Sequence, residues 1–271
     1  MASAFGLVLT STLSPEQLTE WGWRVPFLFG ILIGPVGLYI RRRLDETPEY
    51  VEIQPTRTPA RDVLRDHPTE VLLAMGASAI SNSSAYIILY IPTYAMTELH
   101  LPQATGFTAT LVGAVILGIA SPFAGHFSDK FGRSGILTGT AWLFFLTIYP
   151  VFSLMVAFPS LATAIFAAGW LSLVKAGYSG VLPSLLSEQF PVETRAIGVS
   201  LGFSTAVTIF GGFAPLIATW LIAQTGNPLS PSYYLIFTAL LSLAALIAIQ
   251  RRSRQREATP ALAESGEFAA P

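Results

Sequence analysis

The 271-residue chain is 52% hydrophobic and only 11% charged, with a mean hydropathy of +0.57. A soluble domain carries roughly a quarter charged residues, so the composition excludes a free-standing soluble domain and describes an all-α membrane protein whose first partner is the lipid bilayer. Cysteine is absent, which removes disulfides and thiolate metal sites, and nothing in the chain calls for a metal, a cofactor or nucleic acid.

In chain order, residues 1–10 are apolar but short, and they lack the basic flank of a leader peptide. They read as the tail of a helix, so further helices are expected ahead of Met1. Trp21-Gly-Trp-Arg-Val-Pro opens the first full span, with tryptophans suited to the headgroup level. It runs through a Gly- and Pro-rich apolar stretch and stops at Arg41, Arg42 and Arg43. Residues 44–70 form the one long polar stretch inside the chain, punctuated by Pro48, Pro55, Pro59 and Pro68, and read as a linker. Six more spans follow, at 71–94, 103–125, 134–156, 160–187, 196–223 and 233–250, each about long enough to cross a bilayer. The expected division is a remnant of a first bundle (1–43), the linker (44–70), a six-helix bundle (71–250) and a disordered basic, then Ala/Glu-rich tail (251–271).

Charge orients the spans. Thirteen of the fifteen Lys and Arg residues fall in the Arg41–Arg43 stop and the linker that follows it, in the joints at 126–133 and 188–195, and in the tail. Only Arg24 falls on the opposite side, so the basic side is expected to be cytoplasmic, with the C-terminus inside a bacterial inner membrane. The last cation, Lys175, lies within a span. All sixteen acids lie in loops, joints or tail, and His67, His100 and His126 lie in loops or at span ends.

Lys175 is 13 residues before Glu188, about 20 Å along a helix at about 1.5 Å per residue. That puts it near the middle of a core about 30 Å thick. A lysine there costs roughly 2.5 kcal/mol or more, and such residues face a cavity or a partner. Lys175 is therefore a counter-charge for a substrate carboxylate, or the partner of an acid on a helix expected ahead of Met1, or a side chain snorkelling to an interface. Ser172, Tyr178 and Ser179 are expected beside it on the same helical face. In the span at 71–94, Ser78, Asn82, Tyr86 and Tyr90 recur every four residues, with Ser81 beside them. Such a stripe lines a cavity or makes interhelical hydrogen bonds. An embedded enzyme would need a nucleophile with a base, or a metal cluster, at depth. No intramembrane Asp, Glu, His or Cys supplies one, so the chain is not read as an enzyme.

Gly125-His-Phe-Ser-Asp129-Lys-Phe-Gly132-Arg133 occupies a joint on the basic side. Gly125 and Gly132 are expected to permit tight turns, Asp129 to favour a helix N-terminus, and Arg133 to pair with a carboxylate. The spacing G-x-x-x-D-x-x-G-R resembles the loop signature of the major facilitator superfamily, where it acts as a latch on the cytoplasmic side. Arg41-Arg-Arg-Leu-Asp-Glu-Thr-Pro48 resembles the half-way mark of that family. Glu188-Gln-Phe-Pro-Val-Glu-Thr-Arg195, leading into Gly198, resembles the joint after its tenth helix. Thr208-Ile-Phe-Gly-Gly-Phe-Ala-Pro-Leu-Ile-Ala-Thr-Trp220, with Gly226-Asn-Pro and Tyr233-Tyr, is similar to the metabolite:proton symporter branch, which carries citrate, 2-oxoglutarate, shikimate, or proline and betaine.

The resemblance runs to about Gln250 and implies a partial major facilitator bundle covering helices six to twelve, with a remnant of helix five. Helices one to four of the same carrier are then the expected protein partner. It implies alternating-access symport of a proton with a small organic acid, with proline or betaine as the other cargo and a non-functional fragment as a further reading. Lys175, Asn82, Tyr86, Tyr178 and Ser179 are the expected substrate or coupling residues. Gly125, Asp129, Gly132, Arg133, Glu188 and Arg195 are the expected gate. The proton rests on the resemblance alone, because these spans hold no carboxylate relay. Gly198 with Gly202, and Gly211-Gly212 with Pro215, mark close packing or a bending point.

Overall fold

The structure, a computed structural model, describes residues 2–31, 33–42 and 59–266. Most of the polar linker, the half-way string beyond Arg42, and residues 267–271 lie outside the described residues. Every regular element described is helical. The N-terminal part comprises α1 (Ala2–Thr12), α2 (Pro15–Glu20), a short 3-10 turn (Gly22–Arg24), α3 (Val25–Gly30) and α4 (Ile33–Arg41). Then come α5 (Pro59–Asp66), α6 (Pro68–Thr97), α7 (Gln103–Phe131), α8 (Arg133–Ala157), α9 (Leu161–Ser179), α10 (Leu182–Glu188), α11 (Arg195–Ala206), α12 (Ala214–Thr225) and α13 (Ser230–Gly266).

Among the described residues, seven stretches are long and apolar enough to cross a membrane, as the sequence reading expects: Gly22–Arg41, Pro68–Thr97, Gln103–Phe131, Arg133–Ala157, Leu161–Glu188, Arg195–Thr225 and Ser230–Ser253. Two are composite. The fifth joins α9 to α10 through Gly180 and Val181, just ahead of Pro183. The sixth joins α11 to α12 through a π-helical turn, Val207–Gly212, ahead of Pro215. Proline removes a ladder donor and crowds the preceding turn, and a π turn absorbs the mismatch. Tyr234 Oη on α13 donates to the Phe210 carbonyl in that turn at 2.6 Å.

The joints are tighter than expected at the basic end. The turn read at 126–133 shrinks to Gly132, whose φ of +87° lets α7 end and α8 begin without a spacer. Asp129 therefore lies in the last turn of α7, and α8 has no side-chain cap. Gly125 makes no turn. It sits inside α7 against Gly180, where a Cβ would come within 3.3 Å of the Gly180 carbonyl oxygen. At the opposite end Ser160 caps α9 in a reciprocal pair with Thr163, at 3.1 and 3.2 Å. Gly226 closes α12 in the left-handed region. The tail also departs from expectation, because α13 runs past Gln250 to Gly266. Arg, Gln, Glu and Ala are good helix formers, and extending an existing helix needs no new nucleus.

Burial sorts the helices. α6 and the α9–α10 span are largely buried at the centre, and α13 packs along α6 and α8. α7 lies mostly outside, and Val115, Ile119, Phe123, Phe127 and Phe131 expose an apolar stripe at four-residue spacing that suits lipid. The first span, Gly22–Arg41, is likewise exposed. α1 rests on α7, with Gly6 accepting the ring of Phe107. Gly202 lets α11 approach α6 closely, since a Cβ there would lie 2.6 Å from that of Ala74.

Candidate functional site

At the centre of the bundle α6 reads out three neighbours with three successive residues. Each step along a helix rotates the side chain by about 100°. Ser81 turns to α9, Asn82 to the π turn of the sixth span, and Ser83 to α13, where its hydroxyl meets Thr238 Oγ1 at 2.8 Å. One turn earlier, Ser242 of α13 donates to the Gly76 carbonyl at 2.8 Å and accepts from the Ile80 N–H at 3.0 Å. These groups seat α13 against α6, so the register around Ser81 is fixed on two sides.

Lys175 comes from α9 and is only 8% exposed. Its Nζ donates to Ser179 Oγ, one turn along, at 2.9 Å, and makes a longer contact with Ser81 Oγ of α6 at 3.5 Å. Both partners are neutral. Among the described residues no carboxylate lies within ion-pair distance of the ammonium. Ser81 is near the middle of the 30-residue α6 and Lys175 near the middle of its span, so the pair sits deep from either end. A buried cation normally needs an anion as well as hydrogen bonds. Here it has the hydrogen bonds alone.

The other expected residues distribute differently. Ser179 joins Lys175 as expected. Tyr178 is fully buried in the hydrophobic core, and no hydrogen bond joins it to Lys175 among the described residues. Ser172 is buried against α7, where a Cβ on Gly113 would come 2.6 Å from its Oγ. The α6 stripe turns toward the sixth span. Ser78 and Asn82 bond back to their own helix, to the Ala74 and Ser78 carbonyls at 2.7 and 2.9 Å. The Tyr86 ring lies on Gly211, where a Cβ would come within 2.8 Å of it, and Tyr90 Oη meets Thr219 Oγ1 at 3.1 Å. Of the two readings of that stripe, interhelical packing describes its present contacts. Ser81, one residue off the stripe, is the α6 group that reaches the lysine.

A second cluster closes the basic end. Arg133 pairs with Glu188 at the end of α10 and lies 3.7 Å from Asp129. Arg252 of α13 pairs with Glu70 of α6 at 3.3 Å, and Gln250 donates to Thr138 Oγ1 at 2.7 Å and to the Ser134 carbonyl at 3.2 Å. Glu70, Gly132, Arg133, Glu188, Gln250 and Arg252 border a cavity of about 670 Å³. Arg195 stands apart. It begins α11, makes no ion pair among the described residues, and buries its Nε without a hydrogen-bond partner. Sequence reading missed Glu70, Gln250 and Arg252, whose one signal was their position at the ends of apolar spans on the basic side.

Buried helices, a lipid-suited outer stripe and a polar interior centred on one lysine define a multi-pass membrane protein. Residues 71–270 match the Major Facilitator Superfamily model, and the chain belongs to that family. It is 35% identical over 257 residues to a citrate-proton symporter of Klebsiella pneumoniae, covering 93% of this chain and 58% of the relative. A citrate-proton symporter of Salmonella typhi is 33% identical over 249 residues, covering 90% and 57%. A putative proline/betaine transporter of Staphylococcus aureus (strain COL) is 34% identical over 247 residues, covering 86% and 51%. The chain thus spans little more than half the length of these relatives. No solved structure matches it.

Proposed function

We propose that this chain forms the matched part of a secondary active transporter that carries a small organic acid, a di- or tricarboxylate such as citrate or 2-oxoglutarate, together with a proton. The observation that carries this reading is Lys175, a buried cation held by two hydroxyls and no acid. A substrate carboxylate supplies the missing anion, and charge-assisted hydrogen bonds are the strong ones. Ser179 and Ser81 orient the ammonium toward it, and Asn82 and Tyr86 join the site when the seam on Gly211 opens. The basic end faces the cytoplasm of a bacterial inner membrane, with the C-terminus inside. There the Arg133–Glu188 and Arg252–Glu70 pairs hold the ends of the spans together in the closed state. The exposed apolar faces of the first span and α7 receive lipid or further helices of the same carrier. The role is transport, with no chemical step on the cargo.

The same lysine serves a zwitterion's carboxylate, and a relative named as a putative proline/betaine transporter matches at similar identity. Competition separates the two. The chain in proteoliposomes is given labelled citrate under an inward proton gradient, with unlabelled 2-oxoglutarate, proline or betaine in excess. Inhibition by 2-oxoglutarate alone supports the organic-acid reading. Inhibition by proline or betaine without effect of 2-oxoglutarate replaces it.

A further inference from the structure

Resting on the reading of Lys175 as the carboxylate's counter-charge, we infer that Lys175 is also the proton carrier of the cycle. It takes up a proton as the carboxylate arrives and gives it up as the carboxylate leaves. The argument starts from what surrounds it. Tyr178 of α9 comes close to Ser242 of α13, and the elements that pack against α9 include α6, α7, α8 and α10. Their charged groups sit toward the helix ends, with Glu70 in the first turn of α6 and Glu98 just past its end, His126, Asp129 and Lys130 toward the end of α7, Arg133 opening α8, and Glu188 closing α10. The other titratable groups on these helices are the phenols Tyr86, Tyr90, Tyr94, Tyr149 and, on α9 itself, Tyr178. The atoms that meet Lys175 Nζ are the hydroxyls of Ser81 and Ser179.

Two hydroxyls serve an amine and an ammonium alike, because each both accepts and donates. They therefore hold the side chain in one place in either protonation state. A carboxylate discriminates, since it accepts from an ammonium and gains the full attraction of opposite charges in a water-poor site. Proton and carboxylate must then raise each other's affinity by the same factor. The step balances without a further reactant: a neutral amine, one proton and one carboxylate give one ammonium–carboxylate pair, and no covalent bond to carbon forms or breaks. One residue thereby couples both cargoes with no acid needed beside it.

The chain holds only two lysines, Lys130 and Lys175, which makes the proton observable. The full chain, labelled with ε-15N-lysine and set in lipid nanodiscs at mildly alkaline pH, is titrated with 2-oxoglutarate. The expected result is conversion of the Lys175 nitrogen from amine to ammonium, one proton drawn from a weakly buffered medium, and affinity that weakens by up to about tenfold per pH unit on the alkaline side. Lys175→Arg, which cannot release its proton, is expected to bind without proton uptake and with a flat pH profile. Binding by the wild type with an unchanged Lys175 nitrogen, or proton uptake that persists in Lys175→Arg, overturns the inference and leaves the proposed substrate reading standing. Absence of any 2-oxoglutarate binding by the wild type overturns that reading as well.

Discussion

Two charged places in the chain are stabilised differently. At the basic end Arg133 meets Glu188, and both side chains are substantially exposed, 37% and 50%. In the middle of the bundle Lys175 is buried and meets only serine hydroxyls. Exposed pairs of the first kind contribute about 0–1 kcal/mol each. Such pairs hold span ends in one arrangement and release at small cost, which is what the proposed transport cycle asks of this end. A cation of the second kind is unfavourable until an anion reaches it, which is what the proposed carboxylate site asks of it. The difference teaches that a charge's function follows from its partner and its water more than from its residue type.

The comparison breaks most directly if the buried lysine receives the partner that the surface arginine already has. Ser81→Asp places a carboxylate where a hydroxyl now lies 3.5 Å from Nζ. Carboxylate affinity is expected to fall on the order of 100-fold, read by calorimetry, with the fold retained because the new charge is paired. Removing the nearer hydroxyl is milder. Ser179→Ala deletes a 2.9 Å hydrogen bond to the ammonium and is expected to weaken binding by roughly tenfold, in line with about 1.5–3 kcal/mol for hydrogen bonds to charged groups. At the basic end, Gly132→Ala forces a Cβ onto a backbone at φ +87°. Thermal unfolding in detergent is expected to report a loss of about 1–2 kcal/mol. Glu188→Gln is the smallest change. A double-mutant cycle with Arg133→Gln is expected to give a coupling below about 1 kcal/mol, shrinking further in high salt.

Much of the architecture was legible because its causes are local. Apolar runs of bilayer length, broken by short polar joints, yield the seven spans, and the lone cation in such a run marks Lys175 without any coordinates. What was not legible depends on how helices rotate against one another. Ser81 and Asn82 are adjacent, yet one reaches Lys175 and the other the sixth span, and only the packing of α6 against α9 and α13 chooses between them. Tyr178 lies three residues from Lys175 on the same helix and still ends in the core. Gly125 and Gly132 share one motif, but the first admits a neighbouring backbone and the second a turn, and both uses exploit the same missing Cβ. The helical continuation of α13 beyond Gln250 was hidden because a polar Arg/Glu/Ala-rich tail reads as disorder when it has no helix to extend.

The central claim is that Lys175 waits for a carboxylate. The direct measurement is calorimetric binding of citrate to the full chain in lipid nanodiscs, comparing the wild type with Lys175→Gln, which keeps a polar side chain and removes the charge. The account predicts that affinity falls by about 100-fold or more, equivalent to about 2.7 kcal/mol, while the thermal stability of the empty protein is unchanged or slightly raised. Equal citrate affinity in the two proteins would contradict it.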